Sequence, residues 1–397
     1  MTRGFLVLLV AVAQAAQAFT EAEIRAIASH GPWPPAFRPD PSNRVSGSKE
    51  AIELGERLFF ERRLSANGEF PCSRCHLPER NWTDGEARAR GLALTDRNTP
   101  SLANVRLQRW FGWDGAHDSL WSQGIRPILE PKEMGSSGAQ VAKLVREDPD
   151  LSCRYRKVFG APSHDDEKVL VDVAKALAAF QETLMSGRTS FDEFRDGLVK
   201  GDKAGIAQYP EPARRGLRIF LGRGSCSTCH AGPAFTNGEF HDTGIPFFVE
   251  PGRVDPGRHE GIKKLLADRT NLLGPYNDDP KRTSATGTKH VSLEHRNFGE
   301  FRTPSLRNLA LTAPYMHNGR LATVRDVVQH YSNISPDRLH SDGEAVLKPL
   351  KLSEQETRDL VAFLESLQDS GGSTGCSPSC TFSNRFLLSR NRRNHFH

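Results

Sequence analysis

The spacing of apolar residues along the chain predicts helices and almost no strands. Apolar positions recur at helical intervals over residues 49–61, 167–187, 210–220 and 353–367. The last segment opens with a serine followed three residues later by a glutamate, which is a capping-box pattern for a helix start. Strand-like alternation is scarce, so the sequence predicts a mainly α protein.

One long pattern occurs twice in the sequence, which indicates an internal duplication. Each copy begins with C-x-x-C-H, at residues 72–76 and 226–230, and continues with an aromatic-polar-glycine turn. A T-P-S-L-x-N stretch then begins at Thr99 in the first copy and at Thr303 in the second. In both copies a glycine follows 16 residues after that threonine. Several features recur in the same order in both copies, which argues against chance resemblance.

The two C-x-x-C-H motifs are typical of covalently attached c-type haem. The two thiols form thioether bonds to the porphyrin, and the adjacent histidine ligates the iron. A zinc site or a thioredoxin-type dithiol is the alternative for such cysteine pairs, and a histidine directly after both motifs disfavours it. The sequence therefore predicts two c-type haems held by Cys72, Cys75, His76, Cys226, Cys229 and His230.

These motifs predict a mainly α fold with two cytochrome c-like haem domains related by internal duplication. We place an N-terminal haem domain at residues 19–165 and a C-terminal haem domain at residues 166–367. From the first cysteine of the motif to the threonine of the T-P-S-L stretch is 27 residues in copy one and 77 in copy two. The second copy therefore carries about 50 additional residues, between 241 and 302, and we expect these to form surface loop.

Both ends of the chain have distinct compositions. Residues 1–18 combine an apolar run with a small-x-small end, which predicts a signal peptide, export and no membrane insertion after cleavage. Residues 368–397 are rich in Ser, Gly, Asn and Arg, and we expect them to be disordered. Three cysteines lie outside the motifs, and of these Cys153 is predicted to be a buried thiol while Cys376 and Cys380 receive no role. The formal charge of +5 indicates neither nucleic acid nor an anionic membrane as a partner.

The two copies differ at the position that decides whether each iron is open. Aligning the copies on their shared glycine places Tyr331 opposite Pro127. Proline has no side-chain donor atom for iron, so a ligand at this position would cap only the second haem. The alternatives are that Tyr331 is a core residue of its helix, or that Met316 or His330 is the sixth ligand.

Several longer motifs carry a family resemblance over residues 45–367. They are FGWDG at 111–115, QGIRP at 123–127, PKEM at 131–134, LTAPYMHNG at 311–319 and TVRDVVQHY at 323–331. On these motifs the chain resembles the bacterial di-haem cytochrome c peroxidase/MauG family. It is closer to the MauG-type branch, which has tyrosine where Tyr331 stands and where the peroxidases have a methionine. The peroxidases also tend to carry a displaceable histidine soon after the first C-x-x-C-H, and this chain has none between His76 and His117. The resemblance thus implies a first haem that is open without reductive activation.

The resemblance also implies roles for three residues near the first haem. Glu133 and Gln123 would line its distal pocket, where a carboxylate moves the peroxide proton from one oxygen to the other. Trp113 would lie between the haems and relay electrons. The alternatives are an exposed loop acid for Glu133 and an ordinary core aromatic for Trp113.

A calcium ion between the haems is a further implication of the resemblance. Its ligands would be the side chain of Asn98, the carbonyl oxygens of Thr312 and Pro314, and water, since oxygen ligands suit a hard cation. His317, which matches Trp113 in the second copy, would lie near the second haem, or else be a satisfied core histidine.

In function, the resemblance implies a periplasmic oxidoreductase that reduces H2O2 at the open N-terminal haem and takes electrons through the second haem. The electron donor would be a small cytochrome c, a cupredoxin or a protein substrate, the last as in MauG. An anionic tyrosinate on the second iron favours higher oxidation states and lowers the reduction potential. The alternatives are a conventional cytochrome c peroxidase that detoxifies peroxide and a non-catalytic electron-transfer cytochrome.

Overall fold

The structure is a computed structural model that describes residues 19–245, 248–335 and 346–369, and it is mainly helical. The predicted signal peptide, Cys376 and Cys380 lie outside the described residues. The helices are α1 (Glu21–Ala28), α2 (Lys49–Phe59), α3 (Leu120–Leu129), α4 (Gly138–Glu147), α5 (Pro149–Phe159), α6 (Asp166–Gln181), α7 (Ser190–Lys200), α8 (Lys203–Gln208), α9 (Glu211–Leu221), α10 (Arg258–Ala267), α11 (Thr286–His290), α12 (Val324–Ser332) and α13 (Glu354–Glu365). The short strands are β1 (Phe240–His241), β2 (Phe248–Glu250), β3 (Arg253–Val254) and β4 (Phe301–Arg302), with β1 antiparallel to β4 and β2 antiparallel to β3.

The four helices predicted from apolar spacing are present as α2, α6, α9 and α13. The capping box predicted for the last one forms, because Ser353 accepts from the Glu356 amide and the Glu356 carboxylate accepts from the Ser353 amide. Helix α6 ends at Gln181, several residues before the predicted glycine. None of the helices in the described ranges is long and apolar enough to cross a membrane.

The first hydrophobic core is built around α6, which packs against α2, α3 and α4. Helix α6 is buried along nearly its whole length, including Val173 and Leu177 on its apolar surface. A helix that is apolar on most sides has to be surrounded by others. The predicted boundary at residue 166 would separate α6 from its packing partners, so the packing favours a boundary after α6.

The second core contains α7, α9, α12 and α13, together with α1 from the start of the described chain. Ile27 of α1 is fully buried there, and Phe19 packs against Phe194 at a ring-centroid distance of 5.7 Å. Residues 19–30 were predicted to belong to the N-terminal domain, but they pack in the second core. The segment is short, and nothing in its spacing indicates which core it joins.

The prediction that the additional residues of copy two form only surface loop was wrong. They include α10 and α11, and Leu272 and Ala285 join the first hydrophobic core. The buried Lys175 of α6 also donates to the carbonyl of Tyr276 at 2.7 Å. The extra residues of the second copy therefore cover the first core.

The prediction for Cys153 was wrong, and residues 368 and 369 of the predicted tail belong to the folded structure. Cys153 is exposed rather than buried, because α5 turns Leu151 and Tyr155 toward the core and Cys153 to the other side. Asp369, at the start of the predicted disordered tail, accepts from the Gly187 amide at 2.8 Å. The rest of that tail, from residue 370, lies outside the described residues.

The helices before the two C-x-x-C-H motifs pack in the same way. A Cβ added to Gly55 of α2 would lie 2.0 Å from the carbonyl oxygen of Ala176 on α6. A Cβ added to Gly216 of α9 would lie 1.9 Å from the carbonyl oxygen of Asp359 on α13. In each core, glycine therefore lets two helix backbones approach closely.

The T-P-S-L-x-N stretches also end in matching geometry. Asn104 and Asn308 have left-handed backbones with φ of 63° and 58°. The side-chain oxygen of Asn104 accepts from the Ser186 amide at 2.9 Å, and that of Asn308 accepts from the Asp369 amide at 2.8 Å. Each asparagine thus ties its stretch to the segment that follows the long helix of its own core.

We expect Gly216→Ala to destabilise the protein. The added methyl overlaps the α13 backbone, so α9 and α13 must separate, and overpacking of this kind costs about 1–3 kcal/mol or more. Chemical denaturation would measure the change in the free energy of unfolding. Gly138→Ala is the control, because a Cβ there meets its nearest neighbour only at 3.7 Å. Equal stability of the two variants would contradict the close approach of α9 and α13.

Candidate haem sites

The two C-x-x-C-H motifs fold into the same local structure. Their first residues form 3-10 turns at Cys72–Arg74 and Cys226–Thr228. The amide of each motif histidine donates to the carbonyl of the first cysteine, at 3.1 Å for His76 and 2.9 Å for His230. Each turn therefore places two cysteines and a histidine within one short backbone loop, as attachment to one porphyrin requires.

Each motif imidazole is oriented by a backbone carbonyl. His76 Nδ1 lies 2.9 Å from Trp82 O, and His230 Nδ1 lies 3.0 Å from Phe235 O. Both aromatic residues have left-handed backbones, which turn their carbonyls back toward the histidines. A carbonyl only accepts, so Nδ1 carries the hydrogen and Nε2 keeps a lone pair for a metal. Burial lowers the pKa of both imidazoles, that of His230 to about 4, which keeps them neutral and fit to ligate iron.

The motif thiols lie in an apolar environment. Burial raises the pKa of Cys72 and of Cys226 to about 12. A thioredoxin-type dithiol needs a lowered thiol pKa instead. Over the described ranges, no three His, Cys, Asp or Glu side chains converge as a metal cluster. The raised thiol pKa favours haem attachment over a thioredoxin-type dithiol.

The residues predicted for the second haem surround one cavity of about 430 Å³. Among its lining residues are Cys226, Cys229, His230, Met316, His317 and Tyr331. Tyr331 reaches the cavity from α12, and burial raises the pKa of its hydroxyl. The cavity thus has a histidine and a tyrosine on its wall, as a haem with these two axial ligands would need.

The two competing sixth ligands differ in their surroundings. His330 Nε2 lies 2.8 Å from the carbonyl oxygen of Thr243, so this nitrogen is occupied by a backbone group. Met316 lines the same cavity as Tyr331. The geometry therefore disfavours His330 and leaves Met316 as the rival of Tyr331.

Trp113 and the three predicted calcium ligands line the same cavity. Trp113 Nε1 donates to the carbonyl of Asn98 at 2.9 Å, and this bond fixes the orientation of the indole. The Asn98 side-chain nitrogen donates to Glu86 O at 2.7 Å, so the amide has a defined orientation. Thr312 and Pro314 approach the cavity from the second half of the chain. Residues from both halves thus meet at this cavity.

His317, which matches Trp113 in the second copy, is buried in the wall of the same cavity. Its ring stacks on Phe301 with a centroid distance of 3.5 Å and an interplanar angle of 7°. Burial lowers its pKa to about 3, so the imidazole is neutral. His317 therefore shares a cavity with His230 and Tyr331.

Gln123 and Glu133 lie on α3 and on the turn after it, on either side of Pro127 along the chain. Gln123 Oε1 is buried and has no hydrogen-bond partner among the described residues, so it can bind a small polar ligand. Glu133 pairs with Arg126 at 2.8 Å. Burial raises the pKa of Cys75 to about 12, and the Glu133 carboxylate contributes to that rise. Glu133 is therefore close enough to the first C-x-x-C-H motif to act on it electrostatically.

An ion-pair network around Arg97, whose guanidinium lies 5.8 Å from the centroid of the Phe301 ring, escaped the sequence analysis. Arg97 pairs with Asp114 at 2.7 Å and with Asp255 at 2.7 Å, and Arg253 pairs with Asp96 at 2.6 Å. Asp255 and Arg253 belong to the additional residues of copy two. No local pattern links residues so far apart, so the sequence carried no signal for this contact.

Comparison with known proteins agrees with this geometry. Residues 49–200 match the family model described as di-haem cytochrome c peroxidase. The chain is 34% identical to the methylamine utilization protein MauG of Methylorubrum extorquens, over 80% of this chain and 78% of that protein. It is 32% identical to the cytochrome-c peroxidase IdrP1 of Pseudomonas sp. strain SCT, over 90% of both chains.

Solved structures give the same result for the fold. A MauG-like protein associated with microbial copper homeostasis matches with a TM-score of 0.65 and 28% identity, over 87% of this chain and 98% of its own. The di-haem peroxidase BthA of Burkholderia thailandensis matches in fold with a TM-score of 0.66, at 23% identity over 87% of this chain and 90% of its own. The chain therefore belongs to the di-haem cytochrome c peroxidase family, a family of haem peroxidases that act on peroxide and carry two c-type haems.

Proposed function

We propose that this peroxidase divides its reaction between an open first haem on His76 and a second haem ligated by His230 and Tyr331. The observation that carries the proposal is the contrast between the two copies. Tyr331 lines the cavity beside His230, whereas the matching position in the first copy is Pro127, which offers no ligand. Peroxide reduction then takes place at the first haem, and electrons enter through the second.

The bound haems supply the redox chemistry, and the chain supplies binding, proton transfer and ligation. Gln123 holds the peroxide through its unpaired buried oxygen. Glu133 takes a proton from one peroxide oxygen and gives it to the other, so that water can leave. Trp113 provides an aromatic path between the two sites. Tyr331, as an anionic ligand, favours the higher oxidation states of the second iron.

We further propose that the two halves of the chain arose by internal duplication. The support is the shared geometry of the motif turns, the paired glycines of α2 and α9, and the left-handed asparagines Asn104 and Asn308. Each half is a cytochrome c-like haem domain. The change from one to the other falls after α6, because α6 packs in the first core.

A calcium ion and an exported location complete the proposal. Asn98, Thr312 and Pro314 line one cavity and offer oxygen ligands from both halves of the chain, as a bridging Ca²⁺ requires. The predicted signal sequence supports a periplasmic location. The electron donor is a small cytochrome c, a cupredoxin or, as in MauG, a protein substrate.

Peroxide detoxification with a small redox protein as donor is the second candidate function. Its support is the similarity to IdrP1 of Pseudomonas sp. strain SCT, which is named a cytochrome-c peroxidase and matches over 90% of both chains. The two functions share the chemistry at the first haem and differ in the donor. Turnover with peroxide and a reduced small cytochrome c as the sole donor would favour detoxification.

Spectroscopy of the ferric protein tests the proposal directly. We expect one high-spin and one low-spin haem as isolated, and a reaction with H2O2 before any reduction, because the first iron has an open position. Electron paramagnetic resonance and absorption spectra recorded before and after peroxide addition would show both. Two low-spin haems, or a need for prior reduction, would contradict an open first haem.

A further inference from the structure

The segment that orients His230 is held by hydrogen bonds along its length. Residues 232–235 follow the second C-x-x-C-H motif. The last of them, Phe235, supplies the carbonyl that accepts from His230. The four carbonyls of the segment are each paired: Gly232 O with His30 Nδ1 at 3.1 Å, Pro233 O with Arg307 Nε at 2.6 Å, Ala234 O with Ser305 Oγ at 2.7 Å, and Phe235 O with His230 Nδ1 at 3.0 Å. The orientation of the second haem's histidine therefore depends on residues far from it in sequence.

Arg307 belongs to a buried ionic cluster beside this segment. Its two terminal nitrogens donate to the two carboxylate oxygens of Asp192, each at 2.9 Å, and both side chains are fully buried. Arg195, also buried, donates to Asp192 at 2.8 Å. The guanidinium of Arg307 lies 3.6 Å from the centroid of the Trp33 ring. Two buried guanidinium groups share one buried carboxylate, and the other acid, Asp196, is partly exposed. Asp196 balances Arg195 from the edge of the cluster, so its fully buried groups comprise two guanidinium groups and one carboxylate.

The first copy has no arginine at the position that matches Arg307. Ser101 donates to Asn81 O at 2.5 Å, just as Ser305 donates to Ala234 O in the second copy. The position that matches Arg307 is Ala103. The serine is thus common to both copies, whereas the arginine is particular to the second.

We propose that Arg307 is a positioning residue that raises the reduction potential of the second haem, an inference that rests on the proposed ligation of that haem by His230. Ferric haem carries one more positive charge than ferrous haem. A buried cation nearby therefore favours the reduced state, since charges are poorly screened in the interior. This effect offsets part of the decrease in reduction potential that a tyrosinate ligand causes. The bond to Pro233 at the same time fixes the segment that holds His230.

Redox titration of two charge variants with opposite expected signs tests the inference. Arg307→Gln removes the positive charge and should shift the equilibrium between ferrous and ferric second haem about tenfold toward the ferric form. For a one-electron couple this lowers the reduction potential by about 59 mV. Asp192→Asn removes the negative charge and should shift the potential upward. A merely structural role would loosen the segment in both variants and move the potential in one direction. Arg307→Lys keeps the charge and should restore most of the shift.

The controls lie in the same molecule. Arg215→Gln breaks an ion pair of the same core, with Asp359, away from residues 232–235, and should leave the potential unchanged. The first haem serves as an internal reference in every variant. An unshifted second haem in Arg307→Gln, or shifts of equal sign in Arg307→Gln and Asp192→Asn, would overturn the inference. If the Arg307→Gln protein does not accumulate, a lowered or unchanged reduction potential in Asp192→Asn would by itself overturn the inference. If the unmodified protein carries no haem on residues 226–230, the proposed function itself fails.

Discussion

Glu133→Gln should reduce the rate of peroxide turnover by about 10²–10⁴-fold, the usual loss when a general acid-base group is removed. Glutamine has nearly the same shape and can still accept the hydrogen bond from Arg126, which lies 2.8 Å from Glu133. It cannot carry a proton between the two peroxide oxygens. The loss should therefore fall on kcat, measured under steady state with saturating donor and peroxide.

Two readouts distinguish this result from a general disturbance. The first haem should remain high-spin in Glu133→Gln, since the substitution leaves its proximal histidine untouched. Glu147→Gln, at an exposed position on α4, is the matched control and should keep full activity. A loss of less than threefold in Glu133→Gln would mean that Glu133 is an ordinary loop acid.

Tyr331→Phe should convert the second haem completely from a six-coordinate to a five-coordinate state. Phenylalanine keeps the ring in the wall of the cavity but has no oxygen to bind iron. The ferric spectrum of the second haem should change from low-spin to high-spin, and the vacated position should bind added cyanide or imidazole. The spectrum of the first haem should not change.

Met316→Leu is the companion variant, because Met316 lines the same cavity. We expect its spectrum to match that of the unmodified protein. If Met316→Leu changes the second haem and Tyr331→Phe leaves it unchanged, methionine is the ligand and the proposed ligation by Tyr331 fails. His330→Ala should have little effect on the spectrum, since the His330 ring nitrogen is paired with Thr243 O.

The sequence predicted those parts of the site that depend on short, local patterns. The C-x-x-C-H spacing is itself the turn that groups two thiols and a histidine, so Cys72, Cys75 and His76 could be recognised without a structure. The repeat then placed Tyr331 opposite Pro127 by alignment alone. Helices such as α6 could be predicted because their apolar spacing is periodic.

Long-range packing could not be predicted in the same way. Nothing in residues 19–30 indicates that Ile27 is buried in the second core, and nothing near Leu272 indicates that it covers the first. In the sequence, Arg307 is only the variable residue of the second T-P-S-L-x-N stretch. Its importance depends on Asp192, which lies 115 positions away. Contacts of this kind leave no period or motif in the sequence around either partner.

The crossing of α1 into the second core has a consequence for how the molecule can be divided. Helix α1 precedes the first C-x-x-C-H but completes the second core, and Leu272 and Ala285 follow the second C-x-x-C-H but complete the first. The two halves are therefore interlocked along the chain. No single cut in the backbone yields two fragments that each hold a whole core, so neither haem unit can be expressed by simple truncation at the midpoint. Each core therefore draws on residues from both sides of both C-x-x-C-H motifs, and we expect stable folding to need residues 19–369 together.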